Sequence, residues 1–143
     1  MYSKIPHIAN LRTDIIETNK GGKVSAIHEI GKKGESLASQ FLIKQGYTIL
    51  ETNWVWAHRE IDILAQKDNV LVVVEVKTRT SAAFGEPEAF VSKAKQKLLI
   101  EAANHFAARH KLEHEIRFDI ISIIFKGSTH QLHHIEDAFY PLV

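Results

Sequence analysis

Asp62 and Glu75 are spaced so that they could bind a metal ion together. Residues 67–70 between them are typical of a turn, and a tight hairpin through that turn places Asp62 opposite Glu75. The same register places Glu60 opposite Lys77, and all four side chains share one face because strand side chains alternate. Directly opposed carboxylates repel unless a cation or a proton lies between them. The spacing therefore predicts a hard cation such as Mg²⁺, which takes oxygen ligands from carboxylates, water and phosphate.

Lys77 and Glu35 extend the predicted site. Lys77 follows Glu75 by two residues on the same face, where its ammonium group could orient a water molecule or stabilise charge that develops on a phosphate. Glu35 lies in a helical segment beside Gly31 and Gly34, from which it could lean toward the strand ends and add a carboxylate. The alternative for Glu35 is a simple interaction with the helix dipole.

A simpler interpretation of the same charges is a solvated strand face with ordinary ion pairs. Glu60 would then pair with Lys77, and Glu75 with Arg59. Residues 70–76 argue against it, because this valine-rich run is typical of a central strand buried on both faces. Glu and Lys are costly there unless they have a function, so we favour the metal site.

The elements that must carry these residues form an α/β domain. Apolar residues at helical spacing from Ile27 predict a first helix that ends at Gly46, and its inner glycines indicate that another backbone passes close by. The other predicted elements are strands at 47–56, 59–66 and 70–78, a helix from Pro87 to about Lys111, a strand at 116–125 and a short edge strand at 131–135. An antiparallel meander followed by a helical crossover gives a mixed sheet covered by helices.

Apolar patterning predicts which side chains face the core. The inward positions of the second helix are Phe90, Ala94, Leu98, Ala102 and Phe106. Trp54 and Trp56 share one face of the first strand, where core packing is the favoured role and stacking on an unpaired base is the alternative.

Composition limits the class of protein. The chain has 143 residues, a formal charge of +1 and no Cys, which is typical of one globular domain without disulfides or thiolate metal sites. The longest purely apolar run, residues 70–74, is far shorter than the roughly 20 residues that cross a bilayer. We expect a cytoplasmic protein with no membrane segment, whose domain spans residues 27–143. Residues 1–26 are an extension, either a frayed tail or a helix docked on the body or on a second subunit.

Basic residues near the predicted site indicate a phosphate-bearing partner. The positions are Arg79, Lys93, Lys95 and Lys97. Contacts of this type to a nucleic-acid backbone give affinity without reading sequence. A solvated helix face is the alternative for the three lysines.

Three of the histidines, His130, His133 and His134, are close together in the sequence. They lack a paired ligand set at helical spacing, so we favour surface or packed imidazoles over a zinc site.

With these residues in place, the chain resembles a known family. Asp62, followed after twelve residues by Glu75-Val76-Lys77, resembles the PD-(D/E)xK signature of restriction-endonuclease-like nucleases. Over residues 27–139 the wider pattern resembles the YraN family, an uncharacterised bacterial group similar to archaeal Holliday-junction resolvases. The segments that carry this resemblance are Gly31-Lys32-Lys33-Gly34-Glu35, Gly46-Tyr47, Asn53-Trp54, Glu60-Ile61-Asp62, Glu75-Val76-Lys77-Thr78-Arg79, Phe84-Gly85, Lys95-Gln96, Arg117-Phe118-Asp119 and His134-Ile135-Glu136-Asp137-Ala138-Phe139.

The resemblance implies a restriction-endonuclease-like αβββαβ core, with a mixed sheet flanked by helices. The positions that match the family's catalytic residues are Glu35, Asp62, Glu75 and Lys77. Gln96 stands at the place of a polar second-helix residue that supports the site. In this chain Arg59 replaces the Gly usual before the Glu-Ile-Asp segment, a departure at the strand entrance by which substrate would approach.

On this basis we expect a metal-dependent endonuclease that hydrolyses phosphodiester bonds in branched or structured DNA, working as a homodimer. The groups that would bind Mg²⁺ or Mn²⁺ are Asp62, Glu75, the carbonyl of Val76 and Glu35. Lys77 would assist the attacking water, while Gln96 and the second-helix lysines would position the DNA strand. Two alternatives stay open: a nucleic-acid-binding module that keeps the fold without cleaving, and an interaction scaffold in which the acidic pair is a structural metal site.

Overall fold

The computed structural model describes residues 22–80 and 91–140. Its helices are α1 (Gly22–Lys44) and α2 (Lys93–Arg109). Its strands are β1 (Thr48–Trp56), β2 (Arg59–Lys67), β3 (Val70–Thr80), β4 (Glu115–Lys126) and β5 (Thr129–Phe139). The observed order contains the predicted αβββαβ core, and β5 is longer than the short edge strand that the sequence predicts.

The strands form one five-stranded sheet in the order β1-β2-β3-β4-β5. β1, β2 and β3 are an antiparallel meander, whereas α2 carries the chain across to β4, which pairs parallel with β3. β5 then returns antiparallel to β4. The predicted mixed sheet is confirmed. The predicted hairpin register is confirmed from Lys67 opposite Val70 to Ile63 opposite Val74, but the pairing ends there, so the predicted pairs Asp62–Glu75 and Glu60–Lys77 are not part of the ladder.

The central strand β3 is buried on both faces, as its valine-rich sequence predicts. Leu71 and Val73 belong to the apolar cluster on the α2 side of the sheet, whereas Val72 and Val74 belong to the cluster on the α1 side. Removing this apolar surface from water is the main favourable contribution to folding. Within the described ranges, no helix is long and apolar enough to cross a membrane.

Helix α1 lies close to β3 at Gly34. A Cβ atom built there would lie 2.0 Å from Cγ2 of Thr78 in β3, so glycine is required for this contact. The sequence predicts that another backbone passes close by, but the atoms nearest to Gly34 belong to the Thr78 side chain, and at Gly31 nothing lies within 4 Å of such an atom. The helix begins at Gly22, earlier than the predicted start at Ile27, and Ile27 is 72% exposed.

Helix α2 begins at Lys93, later than the predicted start at Pro87, which lies outside the described residues. Ser92 caps it, since its side chain accepts a hydrogen bond from the backbone N–H of Lys95 at 3.2 Å. The predicted end is two residues too late, because the helix ends at Arg109 and Lys111 has a φ of +51°.

The inward stripe of α2 agrees with the predicted one in the second half of the helix and is displaced by one residue in the first half. Ala102 and Phe106 are buried as predicted, but Ala94 is exposed and Leu98 is 39% exposed. Phe90 lies outside the described residues. The buried positions are Leu99, Ala102, Ala103, Phe106 and Ala107. A stripe through these positions continues back to Lys95 at helical spacing, which turns that lysine toward the sheet.

The predicted core packing of the two tryptophans is confirmed. Both lie against the α2-side cluster. The ring centroid of Trp54 lies 5.3 Å from that of Phe106 in a T-shaped contact, and Trp56 stacks on His105 at 4.4 Å.

Candidate active site

Regular pairing between β2 and β3 ends immediately before Asp62. The last pair is Ile63 with Val74, and beyond it the backbone N–H of Val76 donates to Oδ2 of Asp62 at 2.8 Å. The alternation of faces breaks at the same point, since Ile61 packs on the α2 side and Ile63 on the α1 side. The Asp62 carboxylate is therefore held where the two strands separate.

Glu75 is the buried carboxylate of this region. It lies in the central strand with only 4% of its surface exposed. Its Oε1 accepts a hydrogen bond from Nζ of Lys95, and Nζ of Lys77 lies 3.8 Å from the same oxygen. Its Oε2 is buried and has no hydrogen-bond partner among the described residues. A buried oxygen without a hydrogen-bond partner is costly for folding, so Oε2 of Glu75 is a candidate metal ligand.

The electrostatics of Asp62 reflect its position. Burial, followed by the negative charge of Glu75, raises the pKa of the Asp62 carboxyl to about 7, although the hydrogen bond from Val76 acts in the opposite direction. The charge of Glu35 also raises this pKa. The negative charges of Glu75 and Glu35 thus disfavour ionisation of Asp62, an effect that a bound cation would relieve.

Glu35 reaches the same charges from α1. Burial raises its pKa, as do the negative charges of Glu60 and Glu75, whereas a hydrogen bond with Asn53 lowers it. Asn53 has a φ of +49° within β1, a left-handed conformation that Asn tolerates better than most residues. Sequence reasoning missed Asn53 as a site residue, and the signal that could have found it is its place in the Asn53-Trp54 segment of the family pattern.

The four basic residues predicted to bind phosphate differ in their surroundings. Lys95, predicted to bind phosphate, lies on the sheet-facing stripe of α2, where its ammonium group pairs with Glu75. The remaining predicted phosphate-binding residues are exposed, namely Arg79, Lys93 and Lys97. Gln96 donates from Nε2 to the carbonyl oxygen of Val91 at 2.8 Å, so its amide fastens the segment that leads into α2.

The simpler ion-pair interpretation is wrong for Glu75. Arg59, its proposed partner, pairs with Glu101 of α2 at 2.9 Å and lies 5.2 Å from the centre of the Trp56 ring. The cations beside Glu75 are Lys77 and Lys95. Arg59 therefore fastens the β2 entrance to α2 and does not neutralise the buried acid.

The donor set fits a hard cation that takes few protein ligands. Within residues 22–80 and 91–140, no group of three or more His, Cys, Asp or Glu side chains is arranged to hold a metal ion. Asp62 and Glu75 are two interacting carboxylates, one with a raised pKa and the other with a buried, unpartnered oxygen. Mg²⁺ typically keeps several waters and binds one or two carboxylates together with phosphate oxygens, so this pair is a suitable donor set.

A second charged cluster surrounds the fully buried Asp119 in β4. Arg117 donates to it from Nε at 2.9 Å and from Nη2 at 2.8 Å, and Nε2 of His134 lies 2.8 Å from Oδ2. The backbone N–H of Asp137 donates to Oδ1 at 3.1 Å, and Arg117 also donates to the hydroxyl of Tyr47. Burial raises the pKa of Asp119, but these hydrogen bonds outweigh it and hold the pKa below its usual value. Both oxygens are engaged, so the cluster joins β4, β5 and Tyr47, and His134 is a packed imidazole as favoured from the sequence.

The sheet, its two flanking helices and the acidic end of the β2–β3 pair define an α/β protein with a restriction-endonuclease-like architecture. The model of the uncharacterised protein family UPF0102 matches residues 34–123. A UPF0102 protein of Flavobacterium psychrophilum is 51% identical over 113 residues, which cover 79% of this chain and 95% of that protein. One from Thermodesulfovibrio yellowstonii is 43% identical over 112 residues, covering 78% and 96%. The chain belongs to UPF0102, the YraN family, and the predicted membership is confirmed.

Proposed function

We propose that the protein is a metal-dependent endonuclease of the PD-(D/E)xK type that hydrolyses phosphodiester bonds in branched or structured DNA. The observation that carries the proposal is the Glu75 carboxylate, buried in the central strand, whose Oε2 has no partner in the described ranges and whose other oxygen has two lysines beside it. A strand interior with no function would carry an apolar residue at this position.

Each charged residue has a role in this proposal. Asp62 and Glu75 would hold Mg²⁺ or Mn²⁺, with the Val76 carbonyl as a further ligand, whereas Glu35 would act on the ion through a water molecule. When bound, the metal would supply Lewis-acid stabilisation of the phosphate and lower the pKa of a water molecule. Lys77 would hold the attacking water and stabilise the negative charge that grows on the phosphate oxygens. The hydrogen bond from Asn53 would orient Glu35.

The exposed cations support nucleic acid as the substrate. Arg79 stands near the end of β3, whereas Lys93 and Lys97 stand at the start of α2, whose first turn reaches Glu75 through Lys95. They would contact phosphates on either side of the bond to be cleaved, with an affinity that falls as salt rises. Because a four-way junction has two-fold symmetry, we further propose that a homodimer acts on it in the cytoplasm.

Cleavage of defined DNA structures tests the proposal. Junction, flap and linear DNA are incubated with Mg²⁺ or Mn²⁺ and with the wild type, Asp62→Asn, Lys77→Met or Asp68→Asn. Asp68 is the matched control, since it is an exposed acid in the turn of the same hairpin. We expect the first two substitutions to reduce cleavage by about 100-fold or more and the control to retain it. Binding without cleavage by the wild type favours the non-catalytic module, and activity that survives both substitutions contradicts the assigned site.

A further inference from the structure

Lys95 differs from the other basic residues at the start of α2. Its ammonium group donates to the buried Oε1 of Glu75, whose side chain is 5% exposed, whereas its own side chain is 43% exposed. Lys93 and Lys97, two residues away on either side, are exposed and form no ion pair within the described part of the chain. Lys95 therefore spans the boundary between the acidic site and the surface proposed to contact phosphates.

The backbone of Lys95 is fixed, so that only its side chain is free to change partners. Its N–H donates to the side chain of Ser92 at 3.2 Å, and the next N–H, of Gln96, donates to the Ser92 carbonyl at 2.8 Å. The Gln96 amide is in turn bound to Val91. Because the backbone is fixed, rotation about the four methylene groups of the lysine side chain is what can move its ammonium group outward.

Two ammonium groups share one oxygen of Glu75. Nζ of Lys77 lies 3.8 Å from Oε1, and the side chain of Lys77 is 27% exposed. The side chain of Lys95 is more exposed, so its ammonium group can move into solvent more readily. A divalent cation at the carboxylate would add two positive charges within a few ångströms of both lysines. Repulsion at that distance in a partly buried site is strong enough to displace the more exposed group.

We propose that Lys95 is an exchangeable counter-ion: it neutralises Glu75 when no metal is bound, competes with the metal for that carboxylate, and is released to a phosphate of the DNA when the metal binds. The inference rests on the proposed function and adds to it a coupling between the two ligands of the site, the metal ion and the DNA. Metal binding frees a cation for DNA, so each ligand strengthens binding of the other.

Calorimetric titration with MnCl₂, at pH 8 and without DNA, tests the competition. The proteins are the wild type, Lys95→Met and, as a control, Lys44→Met, an exposed helical lysine in the last turn of α1. Lys95→Met should bind Mn²⁺ about tenfold more tightly than the wild type, or by about 1.4 kcal/mol, whereas Lys44→Met should match the wild type. Circular dichroism checks that each variant is folded, and Lys95→Gln, which keeps a hydrogen-bond donor, replaces Lys95→Met if the latter is not.

A second readout follows the released cation. The dissociation constant for a fluorescent DNA duplex is measured with and without Ca²⁺, a hard cation with the same preference for oxygen ligands. The gain in DNA affinity on adding Ca²⁺ should be about fivefold smaller in Lys95→Met than in the wild type or Lys44→Met. Equal or weaker Mn²⁺ binding by Lys95→Met overturns the exchange and leaves the proposed nuclease intact. Mn²⁺ binding by none of the proteins overturns both.

Discussion

Oδ2 of Asp62 accepts a hydrogen bond from the backbone N–H of Val76 at 2.8 Å, so a side chain of β2 satisfies a donor of β3 at the point where regular pairing has ended. This contact holds the Asp62 carboxyl group beside the central strand, where the negative charge of Glu75 raises its pKa. The result is a carboxyl group whose protonation is linked to the stability of the fold.

The stability of the wild type should fall as pH rises from about 4 to 7. The folded pKa of Asp62 is raised to about 7, whereas the unfolded value is about 3.9. Between these values the folded state binds more protons than the unfolded state, so raising the pH destabilises it, by up to about 1.4 kcal/mol per pH unit. Asp62→Asn should reduce this slope, and the remainder should reflect Glu35, whose pKa is also raised. Urea unfolding at pH 5 and pH 8 measures the slope, with Asp68→Asn as the control that should keep the wild-type slope.

Divalent cations should stabilise the protein at pH 8, where Asp62 is mostly ionised. A ligand that binds only the folded state contributes about 2.7 kcal/mol at a concentration 100 times its dissociation constant. Adding Mn²⁺ should therefore raise the midpoint of thermal unfolding, and a chelator should reverse the change. Glu75→Gln should abolish the response, whereas Glu113→Gln, an exposed acid, should leave it intact. An equal Mn²⁺ response in Glu75→Gln and the wild type would contradict the assigned ligand.

Gly34 should not tolerate a methyl group. In Gly34→Ala the new Cβ would meet Cγ2 of Thr78 at 2.0 Å, and such overpacking typically costs about 1–3 kcal/mol. The adjacent Glu35 would move with the helix. Combining it with Thr78→Ser, which deletes Cγ2, should restore part of the lost stability. Chemical unfolding of the two single variants and the double variant measures this coupling.

Gly31 is the matched control for that experiment, since nothing lies within 4 Å of the position that a methyl group would take there. Gly31→Ala removes a flexible residue from the same helix without a clash, so it should stabilise the protein by up to about 1 kcal/mol. Equal effects of the two substitutions would mean that the helix does not depend on its contact with Thr78.

Local rules were sufficient to predict the sheet. The turn at 67–70 and the alternation of apolar residues specify the β2–β3 register, and the valine-rich run specifies a central strand. Those rules assume an uninterrupted ladder, so they could not predict the break at Asp62 or the left-handed Asn53 in the neighbouring strand β1.

The partners of the charged residues depend on how the helices dock, which no local pattern contains. A shift of one residue at the start of the inward stripe of α2 places Lys95, which the sequence predicts to bind phosphate, beside Glu75. The same limit applies to Asp119, whose segment is visible in the family pattern although its burial among residues distant in sequence is not.

Asp119 should contribute to stability in the opposite pH sense from Asp62. Its folded pKa is held below its usual value, so its contribution is present above about pH 4 and is lost as pH falls through the folded pKa. Asp119→Asn keeps the shape but removes the charge that compensates Arg117, and breaking a buried ion pair costs about 3 kcal/mol or more. Urea unfolding at pH 7 should show this loss of stability. Repeated at acidic pH, it should show that the free energy of unfolding of the variant falls less steeply with decreasing pH than that of the wild type.

Asp137→Asn is the control for this cluster, because only its backbone N–H reaches Asp119 and its side chain is exposed. Asn also tolerates the φ of +53° found at this position. The control should therefore change the free energy of unfolding by no more than about 0.5 kcal/mol. If Asp119→Asn were equally mild, the buried cluster would not be needed to hold β5 to β4, and that edge would depend on the backbone pairing of the two strands and on apolar contacts such as the stacked rings of Phe118 and Phe139.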